Sequence, residues 1–66
     1  MAIKKENISV VLLPYTDTTT KIRASIMYKG SEISAHAIVS NKIVQCSEYL
    51  EHVKDILRET IINAIS

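Results

Sequence analysis

Few side chains in this chain could do chemistry, and they are scattered. Cys46 is the single thiol among 66 residues, and a helix starting just after it would favour its thiolate. A nucleophile also needs a base within reach. His36 falls in a strand-like stretch, and nothing in the sequence brings it to Cys46, so the plainer reading of Cys46 is a small buried thiol at a strand–helix junction. Glu48 and His52 stand at i and i+4, a spacing that can share a divalent ion but is far more often a solvated pair. One cysteine and two histidines do not make a four-ligand zinc site. The seven carboxylates lie mostly along one helix face, and a single glycine excludes a glycine-rich phosphate loop. No catalytic residue, metal ligand or cofactor site is expected.

The chemistry that remains is recognition, and it gathers on one stretch. Lys21, Arg23 and Lys29 alternate with Ile22, Ala24, Ile26 and Tyr28, and after Gly30-Ser31 the alternation resumes, with Ile33, Ala35, Ala37 and Val39 against Ser34, His36, Ile38 and Ser40. A period of two on both sides of a glycine predicts a β-hairpin. Gly30-Ser31 as the two-residue loop gives a register in which Lys29 faces Glu32, Tyr28 faces Ile33 and Ile22 faces Val39. One face is then wholly apolar. The other carries Lys21, Arg23, Lys29 and His36, with Met27 and Ile38 between them. A one-residue slip would scramble this separation, so turn chemistry and hydrophobic pattern agree.

The flanking elements follow from the same periodicities. Residues 1–7 read as a flexible polar lead-in. Ile8 to Leu13 reads as a strand, apolar on both sides and ended by Pro14, which has no N–H for a ladder. If this strand pairs alongside the hairpin, Val11 and Leu13 join the polar face. Tyr15 to Thr20 is a polar connection with Asp17 as a turn residue. Residues 41–46 are a turn followed by a strand extension or a short approach to the last element. From Ser47, a good N-cap, no proline or glycine interrupts the chain as far as Ile65. Glu48 and Glu51 fall in the first turn, where the helix dipole favours negative charge. Leu50, Val53, Leu57, Ile61, Ala64 and Ile65 follow helical spacing, and Tyr49, Ile56 and Thr60 widen the stripe to about half the circumference. Ile62 sits among Glu48, Glu51, Asp55, Arg58 and Glu59 on the charged side.

The expected fold is α+β: a three-stranded antiparallel β-sheet in β-β-β-α order, with one C-terminal amphipathic helix packed on one face. Sixty-six residues make one domain, 1–66, and a chain this short is marginal on its own. One cysteine excludes an internal disulfide, so self-association is the remaining aid. The helix stripe is wider than one small sheet can cover, which makes Tyr49, Ile56, Ile62 and Ile65 the candidate residues for a homodimer. The net charge of +1 announces neither nucleic acid nor membrane. It divides unevenly, however: six cations and three acids leave +3 in residues 1–45, and four acids and two cations leave −2 in 46–66. The sheet-then-helix order resembles the later half of a double-stranded-RNA-binding domain, but that fold's lysine-rich helix start has no counterpart in Ser47-Glu48-Tyr49-Leu50-Glu51. No RNA-binding role is carried over from it.

No stretch approaches the roughly 20 apolar residues that span a bilayer. Lys4-Lys5 before a short apolar run lacks a small-residue cleavage site. A cytoplasmic chain without membrane contact is expected. Its function is expected to be that of a small non-enzymatic interaction protein: an adaptor, regulator or inhibitor, of a kind that viruses and mobile elements also encode. Its protein partner would meet Lys21, Arg23, Met27, Lys29, His36 and Ile38. Nucleic-acid binding by the same basic face is the alternative, and a structural subunit of a larger assembly is the second.

Overall fold

The computed structural model describes residues 3–65. Three strands, β1 (Ser9–Pro14), β2 (Thr19–Tyr28) and β3 (Ser31–Ser40), are followed by a five-residue helix α1 (Asn41–Gln45) and a long helix α2 (Ser47–Ile65). The sheet is antiparallel in the order β1-β2-β3, and α2 packs across β2 and β3. This is the β-β-β-α arrangement that the alternation and the helical stripe predict. The first strand joins the β2 edge of the hairpin.

The hairpin register differs from the expected one by two residues. Tyr28 pairs with Ser31, Ile26 with Ile33, Ala24 with Ala35 and Ile22 with Ala37. The loop is therefore Lys29-Gly30, with φ of +51° and +81°, both positive as a type I′ turn requires. Glycine takes the second position, where the φ is larger. The register sets large Ile22 against small Ala37, which leaves room for helix side chains above them. An even shift preserves side-chain parity, so both faces keep the residues the sequence assigned them. Lys29 is a strained choice at its position, and Lys29→Asn should stabilise the fold by about 0.5 kcal/mol in a urea titration.

The core lies between the inner sheet face and α2. Ile8, Ile22, Ala24, Leu57 and Ile61 are buried, with Ile3, Val10, Ile26, Ile33, Val39, Leu50, Val53, Ile62 and Ile65 packed around them. The lead-in is thus more than a tail. Ile3 packs on the core, and Lys5–Asn7 form a single-turn 3-10 helix. Lys5 Nζ lies 3.0 Å from Asp55 Oδ1 and 2.6 Å from Glu59 Oε1. Hydrogen bonds donated by the Lys5 ammonium, to Glu59 first and Asp55 second, hold its pKa above the ordinary value. Met1 and Ala2, also part of the expected lead-in, lie outside the described residues.

Residues 41–46 are not a strand. Ser40 accepts the Lys42 N–H on its hydroxyl at 3.2 Å and caps α1. Asn41 then ties the β1–β2 connection down: its N–H donates to the Thr18 carbonyl at 3.0 Å, its amide to the Asp17 carbonyl at 3.2 Å, and its Oδ1 accepts from the Thr20 hydroxyl. The carbonyl of Cys46 accepts the Leu50 N–H at 2.9 Å. Cys46 therefore holds the N-cap position of α2, and Ser47 is its first residue.

Candidate interaction surface

Every second residue of each strand faces away from α2, and the pairing aligns these into rows. Leu13, Lys21 and Ile38 form one row, Val11, Arg23 and His36 the next, and Ser9, Ser25 and Ser34 the third. Met27 and Glu32 close the face at the hairpin end. Val11, Leu13 and Ile38 are 46%, 44% and 42% exposed, and Met27 is 64% exposed. Nothing among the described residues covers this side, since the helices pack on the other. Three aliphatic side chains thus surround Lys21 in a contiguous patch on open sheet, a more informative pattern than scattered exposed aliphatics.

Four of the six expected partner-binding residues share one end or the middle of this face: Lys21, Arg23, His36 and Ile38. Met27 stands apart at the hairpin end. Lys29 is not on the face at all. It lies in the turn, with its ammonium 5.3 Å from the centroid of the Tyr28 ring, because the two-residue shift places it in the loop rather than opposite Glu32. Glu32 instead meets Arg23, whose guanidinium donates to Glu32 Oε1 across the exposed face. Val11 and Leu13 join the face because β1 lies beside β2. Tyr15, counted with the polar connection, was missed. Its N–H donates to the Thr19 carbonyl at 3.2 Å, so it stands opposite Thr19, one row beyond Leu13, and it is 60% exposed. The signal available was its parity with Val11 and Leu13 past Pro14.

The expected self-association residues divide. Tyr49 and Ile56 are 62% and 50% exposed, whereas Ile62 and Ile65 are half-buried against the core. Ile62 does not stand on a solvent face, because the covered arc of α2 extends toward the side where Lys5 meets Asp55 and Glu59. The opposite flank, with Tyr49, Ile56 and Thr60, is left bare.

Cys46 is half-buried. His36 and His52 are both exposed, His36 on the outer sheet face and His52 on α2. Among the described residues no three His, Cys, Asp or Glu side chains converge as metal ligands, and no helix is long and apolar enough to cross a membrane. No family model, curated protein or solved structure matches the chain.

Proposed function

We propose that this chain is a non-enzymatic interaction protein of the cytoplasm that binds another protein through the outer face of its sheet. The carrying observation is the exposed patch of Val11, Leu13 and Ile38 around Lys21, extended by Tyr15, on a face with no covering layer. Exposed aliphatic side chains gathered on one uncovered face mark a protein-binding surface, and the lysine among them sets which partner charge it accepts. Aliphatic and tyrosine anchors would supply affinity, and Lys21 with His36 would orient an acidic partner.

The cationic alternative has less support. Arg23, one of the cations of that face, is engaged by Glu32, and Lys29 lies in the turn. Tyr28 is on the inner face, so among the described residues Tyr15 is the one aromatic beside the outer face of the sheet. Binding to successive unpaired bases uses several stacking platforms along a positive groove.

The test is two-sided. Random-sequence DNA and RNA should not bind at about 50 mM salt, and a protein retained by the wild-type chain should be lost from Ile38→Asp bait. Nucleic-acid binding that collapses between roughly 50 and 200 mM salt would instead make Lys21 and Arg23 phosphate ligands.

A further inference from the structure

The two edges of the sheet are not alike. The Asn41 N–H on the Thr18 carbonyl fixes the phase of the β2–β3 ladder: odd-numbered residues of β3 turn their main-chain groups to β2. Glu32, Ser34, His36 and Ile38 therefore turn theirs outward, unpaired among the described residues along a strand of ten. The Tyr15 N–H on Thr19 fixes the β1 phase in the same way. The outward positions of β1 are Val10, Leu12 and Pro14, and proline offers no N–H, a common way to blunt an edge. The β3 edge has no such protection.

The bare flank of α2 lies above that same edge. Lys5, which leads into β1, engages Asp55 and Glu59. At 100° per residue, Tyr49, Ile56 and Thr60 lie on the opposite flank from Asp55, on the side of β3. The molecule also exposes more than a compact chain should. Its accessible surface is 4720 Å², against about 4,200 Å² expected for this mass. Its radius of gyration is 12.3 Å, against about 10.8 Å expected for this length.

We propose that two copies of this chain join antiparallel along their β3 edges into a six-stranded sheet, with the two α2 helices packing across the seam through Tyr49 and Ile56. An antiparallel strand pair is self-complementary under a twofold axis. It sets the hairpin end of one β3 beside the α1 end of the other. Spacing favours this edge over the other. With α2 above β2 and β3, a β3 seam sets the helix axes about 10 Å apart, within packing distance, whereas a β1 seam leaves them about 19 Å apart. This inference uses a different surface from the outer face and stands or falls separately. Its consequence would be two such faces in one continuous sheet.

Sedimentation equilibrium on the full chain tests it. The wild type should have twice the mass of 7.4 kDa, and its melting temperature should rise with concentration. Ser34→Pro removes only an outward-facing N–H, which an edge strand tolerates, and should raise the dimer dissociation constant at least about 100-fold. Ile56→Asp replaces a half-exposed residue and should raise it at least about 30-fold, a second reading should Ser34→Pro fail to fold. Leu13→Asp, on β1 and away from the β3 seam, should leave the dimer intact. A wild type that stays monomeric throughout, or a dimer that survives in folded Ser34→Pro or Ile56→Asp, would overturn the proposal.

Discussion

Ile22→Ala should destabilise the protein by about 2–5 kcal/mol, the range for truncating a fully buried aliphatic side chain. A 66-residue domain has only about 3–10 kcal/mol to lose, so this single change should remove about half of it. Ile22 is 0% exposed, at the centre of the middle strand, between Leu12 on β1 and Ala37 on β3. It belongs to the buried cluster with Ile8, Ala24, Leu57 and Ile61, and small Ala37 beside it leaves little that could collapse into the cavity. Urea and thermal melts by circular dichroism at one fixed protein concentration measure the loss. Ile38→Ala on the outer face is the matched control and should change stability by no more than about 0.5 kcal/mol. Equal losses at the two positions would mean that the sheet buries both faces, contrary to the architecture described above.

Ile38→Asp should have the largest effect on function, at least about a 30-fold loss of affinity for the protein partner, as expected of an anchor at the centre of an interface. Leu13→Asp should do the same, because Leu13 and Ile38 flank Lys21 in a single row. Both side chains are more than two-fifths exposed, so neither change should unfold the protein. Arg23→Ala should matter less. Its guanidinium already pairs with Glu32 on an exposed face, and such rim charges mainly set encounter rate and salt dependence. The three variants separate an apolar anchor from a phosphate contact: if Arg23→Ala costs more than Ile38→Asp, the face is a cationic one.

Much of this architecture is legible in the residues because side-chain periods of two and 3.6 leave few alternatives. Ile22, Ala24, Ile26 and Tyr28 declare one face of β2 whatever strand they pair with. That same parity explains the register error. A shift of two leaves every residue on its face, so hydrophobic pattern alone cannot separate a Gly30-Ser31 loop from the Lys29-Gly30 loop that forms. The error mattered at Lys29, which left the candidate site, and at Glu32, which gained Arg23. Ile43 and Val44 have strand-favouring side chains, which conceal the short helix that the Ser40 cap starts. The helix stripe was readable in width but not in placement. Which flank is covered depends on Lys5 meeting Asp55 across 50 residues, a long-range contact with no local sign. Spacing alone therefore places Ile62 on the charged side, and it does not separate the bare flank of Tyr49 and Ile56 from the rest of the stripe.

The outer sheet face as the protein-binding surface is tested most directly by amide-resolved NMR of the isotope-labelled chain, titrated with the protein that wild-type bait retains and Ile38→Asp bait does not. Perturbations should gather on Val11, Leu13, Lys21, Arg23, His36 and Ile38, with Tyr15 at the margin, and leave the exposed face of α2 unchanged. Perturbations confined to α2, with the outer face silent, would contradict the account.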